Sequence, residues 1–307
     1  MRPLAVVGNV NVDLIMGPTA PWPVPGTEVL VDHDELRVGG SAGNAALALQ
    51  ALGIDFQIAA NVGSDAFGKW LAEAFGSRSD KWPVNPTSTT ISVGITHPNS
   101  ERTFFTTRGH LPDFSWADVQ AGIHTPSLAG GLLLLCGSFI TSRLATDYAL
   151  LFDWAAANRI DIVLDTGWPV EGWTEQAIAL TKAWFARSSH LLVSENEAFA
   201  LTGTLEIGSA LEALEALAPK GATVLIKAGP LGAYARRDGQ TLHAPAPKVV
   251  VIDTIGAGDV FNASYVSRIA RGEDLLTALS AGVAIASTAI SSSPRRYASL
   301  AIQPGVH

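Results

Sequence analysis

The chain has 307 residues but a single cysteine, Cys136. An intrachain disulfide and a cysteine-based metal cluster are therefore excluded. Cys136 ends the apolar run Leu132-Leu133-Leu134-Leu135, which reads as a buried strand. A small buried hydrophobe there outweighs a reactive thiol. Charged side chains make up only 16% of the residues and leave a net charge of −8. That balance lacks the basic footprint of a nucleic-acid binder, and the pairs Arg236-Arg237 and Arg295-Arg296 are too short to supply one. No apolar run reaches the ~18 residues of a membrane span. Met1-Arg2-Pro3-Leu4 leads directly into a strand pattern, without a signal-peptide layout. The seven histidines show no ligand spacing, so no zinc site is expected. The 29 glycines and 17 prolines follow no short period, which excludes a collagen-like rod. These absences together lead us to expect a soluble, cytoplasmic protein that binds neither nucleic acid nor membrane.

Apolar residues, at 48%, are plentiful enough to build a sizeable core. The length predicts one large domain, or a domain with an added lobe. Short β-rich runs at 4–8, 56–60, 131–136, 160–165, 190–193 and 223–227 alternate with helical patterns at 41–52, 66–75, 142–158 and 207–216. Such alternation predicts βαβ units and an α/β fold with a doubly wound, mostly parallel sheet. The strands are nearly continuous in apolar residues, as helices on both faces require. The patterns at 256–271 and 275–291 predict two more covering helices. Two stretches break the rhythm. Residues 14–38 carry Pro18, Pro21, Pro23, Pro25 and Gly26, then extended-looking residues 27–37. Residues 88–108 alternate polar and apolar side chains around the turn signal Pro98-Asn99. We read them as insertions forming a small β-lobe over a site; two ordinary surface hairpins fit the composition as well.

Three segments could carry chemistry. Asp253-Thr254-Ile255-Gly256-Ala257-Gly258-Asp259 places glycines at the start of a helical pattern. A helix N-terminus offers unpaired N–H donors and the positive end of a dipole, which suits an anion. A carboxylate held at such a place suits a general base in phosphoryl transfer. An N-cap aspartate after a glycine turn accounts for the same residues. Gly39-Gly40-Ser41-Ala42-Gly43-Asn44 again puts glycines before a helix of small residues. Asn44 has the donors and acceptor for a polyhydroxyl ligand, and a plain helix start capped by Ser41 is the alternative. Gly8-Asn9-Val10-Asn11-Val12-Asp13 ends the first strand, where ligands gather in open α/β sheets; a turn aspartate would look the same.

Taken together, these segments resemble the ribokinase family of carbohydrate and nucleoside kinases, also called the phosphofructokinase-B family. The resemblance runs from the first strand to about residue 291. Residues 253–259 match the family's Asp-Thr-x-Gly-Ala-Gly-Asp signature, and residues 39–44 its N-terminal glycine signature. It implies a ribokinase-like domain over 1–307, with the two insertions as a β-lid. It implies Asp259 as catalytic base, and Gly256, Ala257 and Gly258 as the anion hole. Asp13, Gly39, Gly40 and Asn44 would bind the sugar. Lys227, Gly229 and Thr254, with Gly256 and Gly258, would bind ATP. Glu197 would meet Mg²⁺ through water. Asp253 and the Ile255 carbonyl match one half of a K⁺ site, with the other half expected around 286–293.

One position departs from the family. Ser194-Glu195-Asn196-Glu197 keeps the glutamate of the usual Asn-x-x-Glu, but serine replaces asparagine. Asn196 is the nearby candidate to compensate. Glu195 and Glu197 also fit ordinary first-turn acids favoured by the dipole. Asp165-Thr166-Gly167-Trp168-Pro169 follows a strand end and so could face the crevice. Arg102, Thr107 and Arg108 sit in the second insertion, where a phosphorylated sugar would call for a cation.

The expectation is a kinase acting on a hydroxyl of a small sugar or sugar-like molecule. A nucleoside kinase, with Trp22, Phe104, Phe105 or Trp168 as an aromatic shelf, is the alternative. A non-catalytic ligand-binding relative is the third reading. The lid predicts a homodimer through Val29, Leu30, Val31 and the 91–95 run.

Overall fold

The computed structural model describes residues 1–98, 102–293, 295 and 296. Along the described residues the strands are β1 Leu4–Val7, β2 Asn11–Gly17, β3 His33–Gly39, β4 Gln57–Ala59, β5 Val62–Gly63, β6 Val84–Asn85, β7 Ile91–Thr96 and β8 Arg102–Thr106. They continue as β9 Leu132–Cys136, β10 Asp161–Asp165, β11 His190–Ser194, β12 Thr223–Lys227, β13 Ala233–Arg237 and β14 Gln240–Ala244. The main sheet runs β14-β13-β12-β11-β10-β9-β1-β4. From β4 to β12 every pairing is parallel; β13 and β14 add an antiparallel hairpin at one edge. The chain therefore has the expected doubly wound α/β fold.

The strand sequences explain the layering. Side chains alternate faces along a strand, so an all-apolar strand needs cover on both sides. In β9, Leu132 and Leu134 join one core with Ala42, Leu49, Val260, Tyr265 and Leu279. Leu133 and Leu135 join the other with Tyr148, Phe185, Leu201 and Leu214. Helices Ser41–Ala51, Ala257–Ala270 and Leu275–Ile290 thus cover one face; helices Tyr148–Ala157, Glu175–Phe185, Glu195–Thr202 and Ile207–Glu215 cover the other. No helix among the described residues is long and apolar enough to cross a membrane.

The two irregular stretches do form strands outside the main sheet, in the order β3-β2-β7-β8. The boundaries differ from the sequence reading. The strand of the first stretch, β2, begins at Asn11, and no strand forms from Pro18 until His33. Four prolines in that segment lack the N–H a ladder needs. The extended reading of 27–37 therefore holds only from His33 onward. The turn expected at Pro98-Asn99 lies partly outside the described residues. The 91–95 run is half-buried rather than exposed, while Leu30 is 91% exposed, so Leu30 and not that run offers apolar surface.

The helix expected over 142–158 is two helices, Ser142–Thr146 and Tyr148–Ala157, meeting at Asp147. Aspartate competes for backbone groups and favours helix ends. Three helices lacked an apolar stripe strong enough to read: Trp116–Gly122, Glu175–Phe185 and Glu195–Thr202. Their side-chain caps at Ser115, Thr174 and Ser194 were the available signal.

Candidate active site

The carboxyl ends of β10, β11 and β12 bring Asp165, Ser194 and Lys227 together. These three line a cleft of about 690 Å³ with Glu197, Gly229, Thr254, Ala257, Gly258 and Asp259. Ligands in open α/β sheets bind at this end. A second cavity of about 470 Å³ opens at the opposite strand ends, beside Arg2, Asp161 and His190. It gathers none of the residues singled out by motif.

Asp259 stands in the first turn of helix Ala257–Ala270. Gly256 caps that helix at φ 72°, a left-handed conformation glycine adopts without strain. A Cβ there would also lie 2.8 Å from the Asn44 amide nitrogen. The first-turn N–H groups of Gly258 and Asp259 have no carbonyl one turn back and remain as donors. Ala257 differs from the expected anion hole, because its N–H is committed to the Thr254 carbonyl at 3.1 Å. Gly258 has no side chain to stand against Lys227, whose Nζ lies 3.3 Å from where a Cβ would be.

Asn44 Nδ2 donates to Asp259 Oδ2 at 3.0 Å, joining segments 215 residues apart. Asp13, Gly39 and Gly40 do not line the cleft, whereas Lys227, Gly229 and Glu197 do. Asp259 is thus the junction between the two groups named from the sequence. Burial, then the nearby Asp165 carboxylate, push its pKa up to about 7 against the Asn44 hydrogen bond and Lys227. Asp13 is buried too; desolvation lifts it to about 6, although Arg37 and the Asn11 amide, 2.8 Å away, pull it down. Gly39 is what leaves Asp13 its space, since a Cβ on Gly39 would fall 2.1–2.3 Å from the Asp13 carboxyl atoms. Gly39→Ala is therefore expected to lose about 1–3 kcal/mol of stability and to weaken acceptor binding. Thermal melting and the acceptor KM check this; an unchanged midpoint would contradict the close approach.

Lys227 Nζ donates to Asp165 Oδ2 at 2.6 Å and to Asn262 Oδ1 at 3.3 Å. Asn262 Nδ2 donates back to the same Asp165 oxygen at 2.5 Å. Burial disfavours the Lys227 charge, but Asp165 and Glu197 outweigh it and raise its pKa. Glu197 is buried and raised, by desolvation first and Asp165 second. Its Oε2 accepts the Ser194 N–H at 2.6 Å while Ser194 Oγ accepts the Glu197 N–H at 3.3 Å. The departure to serine therefore builds a reciprocal capping box, and the dipole role read for Glu197 is met as well. Asn196 is exposed and does not line the cleft, so it does not compensate for the missing asparagine. Ser194→Ala is expected to cost about 1 kcal/mol, whereas Ser194→Asn keeps an equally good cap; urea melts of the two variants check the difference.

Asp165, Glu197 and Asp259 put three carboxylates beside Lys227 along the cleft, which Lys248 also lines. Among the described residues no group of three metal-ligating side chains forms a cage. That suits a cation such as Mg²⁺, which keeps several waters and arrives on phosphate. The Asp253 carboxylate does not fit K⁺. Its Oδ2 accepts from Arg37 Nη1 at 2.7 Å and from Arg295 Nη2 at 2.8 Å, and its Oδ1 accepts the Ile255 N–H at 2.8 Å.

Sequence reasoning gave no role to Asn262, Arg37 or Arg295, and offered Asp165 only as a strand-end residue that could face the crevice. Asn262 was findable, three residues after Asp259 and so on the same helix face. Trp168 is exposed and stacks edge-on with Trp173 outside the cleft. Thr107 and Arg108 are exposed and do not line the cleft either. Arg102 instead reaches Thr254 Oγ1.

The family model of the pfkB family carbohydrate kinases matches residues 1–299. The chain belongs to the pfkB family. It is 25% identical over 301 residues to the ribokinase of Haemophilus influenzae, covering 94% of this chain and 92% of that one. Among solved structures, the pfkB-family fold is shared with adenosine kinase from Sinorhizobium meliloti, at a TM-score of 0.81 and 19% identity over 98% of this chain and 97% of that one. It is also shared with Arabidopsis thaliana ribokinase complexed with ribose and ATP, at a TM-score of 0.76 and 23% identity over 95% of this chain and 93% of that one.

Proposed function

We propose that this pfkB-family kinase transfers the γ-phosphoryl group of ATP to a hydroxyl of a small sugar or sugar-like acceptor. One observation carries the reading. Asp259, with its pKa near 7, sits between the buried Asp13–Asn44 side and the cleft, at a helix N-terminus whose donors point to an anion. A base works best when its pKa is close to the working pH.

In this reading the acceptor lies against Asp13, Gly39, Gly40 and Asn44. Asp259 takes the proton from its attacking hydroxyl. The N–H groups of Gly258 and Asp259, with the helix dipole, steady the transferring phosphoryl group. Lys227 offers positive charge beside Gly258. The nucleotide lies along Gly229, Pro230, Val249, Val251 and Ile290, an apolar wall for a base. Mg²⁺ brought by the nucleotide would neutralise phosphate charge, and Glu197 would meet it through water. The sheet β3-β2-β7-β8 acts as the lid that excludes water from the reaction, and the exposed Val29 and Leu30, in the segment that joins β2 to β3, are the homodimer contact we expect from the lid.

A coupled ADP-release screen with Mg·ATP tests this. Acceptors are pentoses, hexoses, keto-deoxy sugar acids and nucleosides. Turnover on a sugar class supports the reading. Turnover on nucleosides alone replaces it with the nucleoside kinase. Tight nucleotide binding with no turnover on any acceptor favours a binding relative.

A further inference from the structure

Arginines from three distant segments converge on the turn that opens helix Ala257–Ala270. Arg37 comes from β3, Arg102 from β8 and Arg295 from the chain beyond helix Leu275–Ile290. Arg37 and Arg295 share one oxygen of Asp253, at 2.7 and 2.8 Å. Arg102 binds the Thr254 hydroxyl, and its Nη1 stands 4.0 Å from the other Asp253 oxygen. Arg295 reaches further, with Nη1 at 3.0 Å from where a Gly256 Cβ would be, so it also covers the helix cap. The Arg37 and Arg295 side chains keep only 15% and 14% of their exposure. Charges this enclosed persist only when paired, and the two guanidinium groups meet the Asp253 carboxylate's need for a positive partner.

The consequence concerns the turn itself. Asp253 Oδ1 accepts the Ile255 N–H, and this bond shapes the backbone leading to Gly256. Whatever neutralises Asp253 therefore holds the segment that aims the Gly258 and Asp259 donors. A monovalent cation bound by Asp253 and the Ile255 carbonyl would do this from solution. Here it would have to approach a carboxylate already shared by two guanidinium groups, and like charges repel it.

We propose that Arg37 and Arg295 are built-in counterions of this turn, positioning residues that stand in for a monovalent cation, so that the protein neither binds nor requires K⁺ at Asp253. The proposal rests on the kinase reading only for what the turn binds. A lid strand supplies Arg37, so the same ion pair fastens the lid sheet to the turn.

The test is melting of the whole chain in choline, sodium and potassium chloride at one ionic strength, with and without Mg·ADP. Melting needs neither acceptor nor turnover, so it reads this proposal even where the acceptor screen fails. The wild type is expected to melt at one temperature in all three salts, with the same Mg·ADP affinity. Arg295→Ala is expected to melt lower and to bind Mg·ADP several-fold more weakly. Millimolar guanidinium should restore its affinity in part, which a merely structural loss would not allow. Arg295→Lys keeps the charge and is expected to retain most of the affinity. A K⁺-specific rise of the wild-type midpoint overturns the proposal. So does an Arg295→Ala protein with wild-type Mg·ADP affinity.

Discussion

Asp259→Asn is expected to lower turnover about 10²–10⁴-fold while the protein still folds and binds nucleotide. Asparagine keeps the shape and can still accept the Asn44 hydrogen bond, so the change removes the base and little else. The pH profile offers an independent check. The folded pKa of about 7 means that wild-type kcat/KM rises with pH and levels off above that value. Stability has the opposite sign. The folded pKa lies above the ordinary 3.8, so the native state holds its proton more tightly than the unfolded chain. That contribution is full below the unfolded value and is lost as pH rises through about 7. Asparagine carries no such penalty. At alkaline pH the variant should therefore be more stable than wild type, by about 1–3 kcal/mol. An inactive, stabilised variant is the outcome expected of a strained catalytic carboxylate. Near-normal turnover would remove Asp259 from the chemistry.

Lys227→Met is expected to cost about 3–5 kcal/mol at pH 8. The loss does not come from packing, because methionine follows nearly the same path. It comes from Asp165, whose oxygen takes both the Lys227 ammonium and the Asn262 amide in a buried site. Without the ammonium, Asp165, Glu197 and Asp259 face one another across the cleft. Glu197 and Asp259 already have raised pKa values, so at acid pH they take up protons and the repulsion fades. The destabilisation should therefore shrink as pH falls. The double variant Lys227→Met/Asp165→Asn should recover part of the loss, because it removes the orphaned charge along with its partner. Urea melts at several pH values decide this. Equal losses at all pH values, or no recovery in the double variant, would show that the ion pair is not the cause.

Local chemistry was legible in the residues. Apolar runs such as Leu132-Leu133-Leu134-Leu135 announce strands covered on both faces. Glycines ahead of small-residue stretches announce helix starts, and both glycine signatures do open helices here. Six central strands and strands of the second sheet were found because alternation and continuous burial are properties of a few neighbouring residues. The edge hairpin of β13 and β14 was not, because Ala-Tyr-Ala-Arg-Arg is no apolar run and an edge needs none. The caps of Trp116–Gly122 and Glu195–Thr202 were readable but subtle.

The sequence by itself determined the six parallel strands of the sheet, most of the helices that cover it and the motif positions of Asp13, Asn44, Lys227 and Asp259. Only the tertiary structure decided how those residues act on one another. Arg37 meets Asp253 across 216 positions, and Asp259 reaches a pKa near 7 through burial and the Asp165 carboxylate at the end of β10. The physical reason is range. Propensity and periodicity act between residues close in sequence, whereas desolvation and Coulomb forces act between groups close in space, and only the folded chain sets those distances.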